Sequence, residues 1–173
     1  MGVEGLPEKR EKDPSTKGNT FKYVWTNQNK DIMKVDNDFD NDFDYEYVGG
    51  HANKELVFFY KPDRTLIQAD VLFNLPAYEQ HSKTKEGAES GFLTNLFTGL
   101  NNARGDAAWQ KRFIWYIASS GNRPDFNKSM QKINGWGFDR IIPCHGDVIE
   151  TGGKGIFQKV LVNHLGGIKP KST

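Results

Sequence analysis

At 173 residues the chain has room for one domain with a core of its own, and 13% aromatic residues exclude a chain that stays unfolded. Its 23 basic and 22 acidic side chains leave no field of one sign to draw it to nucleic acid or an anionic membrane, so neither is expected as a partner. Cys144 is the single cysteine, which excludes an intrachain disulfide and a CxxC zinc cage and makes a reducing, cytoplasmic setting the expectation.

The opening MGVEGLPEKREKD turns charged within ten residues and does not read as a signal peptide. Leu6 stands where a myristoylation signal following Gly2 wants serine or threonine. Residues 1–20, polar and rich in glycine, proline and lysine, are expected to be irregular, with one domain over 21–166 and a short tail over 167–173. FKYVWT (21–26) has strand composition. The acidic run that follows alternates aspartates from Asp36 to Asp44, but an EF-hand starting at Asp36 wants glycine at 41 and glutamate at 47, where Asn41 and Tyr47 stand; a solvated loop feeding a strand is expected instead.

From Phe43 the period changes to two, with Phe43, Tyr45 and Tyr47 on one face and Asp44 and Glu46 on the other, the mark of a half-buried strand. It stops at Gly49-Gly50, and His51 follows at once. ELVFFY (55–60) and TLIQAD (65–70) form a hairpin about the turn KPDR, and the second run ends on Asp70, a carboxylate that needs compensating charge if buried.

Beyond residue 86 the spacing predicts helices over 92–100 and 109–117, the latter with Trp109, Phe113, Tyr116 and Ile117 as its stripe. A shorter helix is predicted over 127–133, then a strand, DRIIP, emptying into Cys144, His145, Gly146 and Asp147. Thr151 and two glycines open a last helix with the stripe Ile156, Val160, Leu161 and Leu165 and a stop at Gly166.

Three potential ligands thus stand at strand ends: His51, Asp70 and His145. Two imidazoles and a carboxylate suit zinc, with iron or manganese as alternatives. His81, in a polar loop, is expected to be solvated, and His164 to face the dipole at a helix C-terminus. Cys144 is expected to point away from His145 and pack, and Asp147 to cap or orient.

GGHANKELVFFYKPDRTLIQAD and IIPCHGDVIETGG resemble the middle and the last metal motif of the metallo-β-lactamase superfamily. With EGLPEKR and NLPAYEQ they look closer still to one uncharacterised branch of it, over most of residues 3–165. The resemblance implies an α/β (α+β) class and an αββα sandwich with metals at one edge. It implies that His51 binds a first metal, that Asp70 bridges, and that His145 binds a second. The parent activity it implies is metal-assisted hydrolysis of a small-molecule or ester-type substrate, whether ester, amide, thioester or phosphoester.

The chain also departs from that pattern. The HxHxDH motif that supplies the remaining ligands is absent from the four histidines here, His51, His81, His145 and His164. The chain is therefore expected to correspond to the C-terminal two-thirds of such a domain, lacking the opening strands of the first sheet. Two protein ligands per ion make a poor site, so metal is expected to be weak or absent and activity low. The alternative is a non-catalytic interaction module that uses its aromatic helices and sheet edge for a partner chain or a second copy.

Overall fold

The computed structural model describes residues 1–85, 87–88, 92–166 and 170, and the side chains of 92–94 fall outside that description. The tail expected over 167–173 therefore lies outside the described residues except Pro170. The class is mixed α and β, with a four-stranded and a two-stranded sheet among the described residues.

The larger sheet grows from the alternating run at 43–48 and the hairpin that follows it. β3 (Phe43–Val48) pairs antiparallel with β4 (Glu55–Tyr60), which pairs antiparallel with β5 (Thr65–Gln68) about the turn at 61–64. That turn is held by the Lys61 N–H on the Asp42 carbonyl (2.8 Å) and by Arg64 in the left-handed region (φ 50°). The Arg64 carbonyl in turn accepts the Asp139 N–H at 2.9 Å, which starts β6 (Arg140–Pro143) beside β5. β6 runs parallel to β5, giving the order β3-β4-β5-β6. A parallel neighbour needs a crossover, and among the described residues it carries the α-helices α3 (Tyr78–His81), α4 (Phe92–Leu100), α5 (Ala108–Phe113) and α6 (Arg123–Gly135).

α6 is longer than the spacing predicts. Asn122 caps it, its side chain accepting the Asp125 N–H at 3.2 Å, and Phe126, Ser129, Met130 and Ile133 form one buried helical face. That face covers β3, so β3 is buried on both sides at its end. The Glu46 carboxylate, expected on a wet face, lies in a pocket with the Ser129 hydroxyl (2.7 Å), Lys30 (3.4 Å) and Lys132 (2.6 Å). One core joins the sheet to the helices, with Val48, Val57, Leu66, Phe126, Ile141 and Phe157 among its fully enclosed members.

Several expectations are overturned locally. The opening segment holds β1 (Gly2–Val3) and α1 (Leu6–Lys12) where irregular chain was expected, with Pro7 in the first turn of the helix. The strand expected at 21–26 shrinks to β2 (Val24–Trp25), paired parallel with β1. The acidic run is not a loop but α2 (Asn37–Asp42). The Asp36 side chain caps it by accepting the Phe39 N–H at 2.9 Å, Asp38 and Asp40 favour its positive end, and the Phe39 ring stacks on Phe43 at 4.6 Å.

Of the stripe expected over 109–117, Phe113 packs against the core, while Trp109, Tyr116 and Ile117 face outward. Gln110 takes the inner face of α5 because its amide pairs with both backbone groups of Phe73 (2.8 and 3.0 Å) and with the Asn102 carbonyl (2.8 Å). A π-helical turn (Ile114–Ala118) then inserts an extra residue, turning Ile114, Trp115 and Ala118 inward and Tyr116 and Ile117 outward. The last helix is broken at Leu161 into α7 (Gly153–Val160) and α8 (Val162–Gly166), with Val160 and Leu161 in the core as the stripe requires. Among the described residues no helix is long and apolar enough to cross a membrane.

Candidate functional site

β3, β5 and β6 run in one direction and β4 runs against them, so three strand C-termini share one edge of the sheet. β3 ends at Val48, β5 at Gln68 and β6 at Pro143. The next polar residues of consequence after these ends are His51, Asp70 and His145. Strand ends of this kind are where α/β folds gather ligands.

His145 and Asp70 touch, with Nε2 of the ring 3.1 Å from Oδ1 of the carboxylate. The Phe73 ring stacks on the imidazole at 5.5 Å, and the His145 carbonyl accepts the Asn74 N–H at 3.1 Å. Gly146 sits at φ 117°, and a Cβ there would collide with the Asn74 carbonyl, so only glycine lets the chain after His145 lie against residue 74. Asp147 plays the capping part expected of it, accepting the Glu79 N–H at the start of α3 (2.8 Å). Cys144 is exposed rather than packed, because the strand has ended before it and its side chain meets no apolar layer.

His51 is held differently. It is 3% exposed, and its ring stands 6.1 Å from that of Phe126. Gly50, packed against the Asn122 carbonyl and the Phe126 N–H, lets the end of β3 press directly on the start of α6. The Asn53 backbone N–H donates to Nδ1 of His51 at 3.0 Å, while the Asn53 side-chain amide donates to Asp70 Oδ2 at 2.7 Å. Asn53 therefore ties the first predicted residue to the second. Burial pushes the His51 pKa down, against the opposing pull of the nearby Asp70 carboxylate.

Two members of this edge escape the ligand-spotting logic, Asn53 and Glu55. Glu55 is buried and accepts the Asp70 N–H at 2.6 Å and the Ala69 N–H at 3.4 Å. The hairpin register could have found it: Tyr60 faces Thr65 and Phe58 faces Ile67, so the same register carried to the strand end puts Glu55 opposite Asp70. Burial, reinforced by the Asp70 charge, pushes its pKa from 4.5 up to about 8, although the two backbone donors favour the carboxylate. A carboxyl with a raised folded value stabilises the fold below pH 4.5 and loses that contribution as pH rises through 8. Glu55→Gln, which cannot ionise, is expected to remove this loss. Urea melts of the two proteins from pH 5 to 9 should show the wild type weakening relative to the variant, and parallel curves would contradict the assignment.

No family model matches this chain, and no curated protein or solved structure matches it.

The donor types at the edge suit a metal, but their arrangement does not. Among the described residues no three of His, Cys, Asp and Glu stand where they could hold one ion. Asp70 already spends one oxygen on His145 and the other on Asn53, and Nδ1 of His51 is occupied by a backbone N–H. What remains accessible is a half-exposed imidazole oriented by a carboxylate, a pair able to hold and pass a proton.

The other two histidines lie elsewhere. His81 ends α3 in the open, as expected. His164 does not face solvent at a helix end; it is 1% exposed, wedged between the rings of Trp115 (5.0 Å) and Phe126 (4.8 Å), with Nδ1 against Asn127 Oδ1 at 2.8 Å. Burial and the neighbouring Arg123 lower its pKa to about 4, so it is neutral and cannot act as a cation on the helix dipole.

Proposed function

We propose that the chain is a metallo-β-lactamase-like protein of αββα ancestry, hydrolase-like in origin, whose dinuclear site is incomplete and which is weakly active or inactive by itself toward small ester-type substrates. The observation that carries this is the convergence of three strand ends running the same way, which brings His145 to 3.1 Å from Asp70 and ties His51 to Asp70 through Asn53. The order of donors along the chain, histidine after one strand, aspartate after the second strand of a hairpin, histidine-glycine after a parallel strand, supports the same ancestry.

Paramagnetic broadening tests the proposal. Manganese(II) added to isotope-labelled protein should weakly broaden the amide signals around Asp70 and His145 before any others, and His145→Ala should abolish the preference. Broadening that begins elsewhere, or uniform broadening at the edge and away from it, would overturn the reading. Zinc-dependent hydrolysis of a chromogenic ester should stay close to that of His145→Ala. Vigorous zinc-dependent turnover lost in His145→Ala would show the site to be complete.

One observation favours the second reading, an interaction module. Trp109 (58% exposed), Ile117 (56%) and Leu96 (51%) present large apolar side chains to solvent. Size-exclusion chromatography with light scattering addresses it: a mass that rises with concentration and falls in Trp109→Ser supports self-association through Trp109, and a constant monomer mass removes it.

A further inference from the structure

The strand-end edge carries a consequence that ligand spacing alone does not contain. We infer that this edge is closed by its own hydrogen bonds, with the Asn53 backbone fixing His51 as the Nε2–H tautomer, so that His51 is a structural acceptor and not a metal ligand in this chain. This rests on the reading of the edge as metallo-β-lactamase-like, and it says which of the inherited positions has changed its work.

A backbone N–H can only donate. Its 3.0 Å approach to Nδ1 of His51 therefore makes that nitrogen the acceptor, and in a neutral imidazole the proton must then sit on Nε2. A metal-binding histidine is wired the opposite way: one nitrogen offers its lone pair to the ion and the other donates its N–H to a carboxylate or carbonyl. Here the lone pair is consumed by the protein and the other nitrogen is blocked by hydrogen. Ligation through Nε2 needs the proton moved to Nδ1, where it would face the Asn53 N–H head-on. Ligation through Nδ1 needs that backbone bond broken.

The rest of the edge agrees. Nε2 of His51 is buried and has no hydrogen-bond partner among the described residues, so the ring is held by its Nδ1 bond and by packing against Phe126. The Asp70 carboxylate already faces two nitrogens, His145 Nε2 at 3.1 Å and the Asn53 amide at 2.7 Å, and its backbone N–H donates to Glu55 at 2.6 Å. Donors occupy the places around this carboxylate where a bridging cation has to sit, and of the two imidazoles at this edge the exposed His145 is the one left able to turn outward.

Long-range proton–nitrogen correlation spectra of the histidine rings, recorded on the nitrogen-15-labelled full chain at neutral pH, read the tautomer directly. The expected result is an Nε2–H pattern for His51, with Nδ1 shifted far downfield as an unprotonated nitrogen, and no movement of either signal when zinc sulfate is titrated to excess. Asn53→Ala, which removes the side-chain amide but keeps the backbone donor, should leave that pattern unchanged. An Nδ1–H pattern in the zinc-free protein, a tautomer change in Asn53→Ala, or a stoichiometric zinc-induced shift of the His51 nitrogens would each overturn the inference. The same titration separates this outcome from the ancestry. Zinc moving His145 and His51 together would refute the inference and leave the metallo-β-lactamase reading standing. Zinc leaving the His145 ring unmoved, while His51 keeps its Nε2–H, would support the inference and count against that reading.

Discussion

Replacing Phe126 by alanine is expected to lower the stability of the fold by about 3–5 kcal/mol, the range for an aromatic ring deleted from a packed core. Phe126 is fully buried at the first turn of α6, where its N–H closes on the Asn122 carbonyl at 2.9 Å. Its ring stands between two elements that the chain brings in from far apart: His51 after β3 at 6.1 Å, and His164 on α8 at 4.8 Å. Neither imidazole can follow the missing ring, because His51 is pinned by Asn53 and His164 by Asn127. The cavity should therefore stay largely open, and the loss should fall at the upper end of the range. Phe126→Leu keeps most of the volume and should cost about 1–2 kcal/mol. Urea denaturation followed by tryptophan fluorescence measures both; equal midpoints for wild type and Phe126→Ala would mean that α6 does not seat on the end of β3.

Mild acid is expected to loosen the same region through His164. Its pKa, 6.5 in an open chain, is lowered to about 4 in the fold by burial and by the Arg123 charge. The unfolded chain therefore binds a proton between these values when the folded chain does not. The contribution is fully present above pH 6.5, declines as pH falls, and is gone below 4, a change of about 3 kcal/mol. Arg123 lies over the Trp115 ring at 4.5 Å and donates to its carbonyl at 2.7 Å, so a protonated His164 against the same ring would put two cations in one apolar pocket. Because Glu55 titrates in the opposite sense over part of this range, the useful quantity is the difference between wild type and His164→Gln. That difference should shrink by about 3 kcal/mol between pH 7 and 4. A constant difference would place His164 in contact with solvent.

The features that were legible in the sequence are those that depend on near neighbours. The period-two run at 43–48 and the apolar run at 55–60 are strands, and the polar residues after three strands do share an edge. What was not legible depends on partners distant along the chain. Gln110 belongs inside only because Phe73 offers it both backbone groups, and without that pairing Trp109 is the natural inward residue. The π-helical turn then shifts Tyr116 and Ile117 outward, a change that no fixed period contains. His164 looked like a helix-end cation because its cage of Trp115, Phe126 and Asn127 comes from other helices. Glu55 is readable by counting back from the hairpin turn, because it stands at a strand entrance opposite Asp70 at the next strand's exit.

Everything said of the edge depends on β6 lying parallel to β5, since an antiparallel β6 would carry His145 to the far side of the sheet from Asp70. Cross-strand nuclear Overhauser contacts between the two strands decide this most directly. The parallel register pairs Leu66 with Ile141 and Ile67 with Ile142, and it predicts amide-to-α-proton contacts between staggered neighbours of these pairs. It also predicts ring contacts from His145 to Phe73, whose centroids lie 5.5 Å apart. Strong contacts between facing α-protons of the two strands, the signature of antiparallel pairing, together with no contact from His145 to Phe73, would contradict the account of the site.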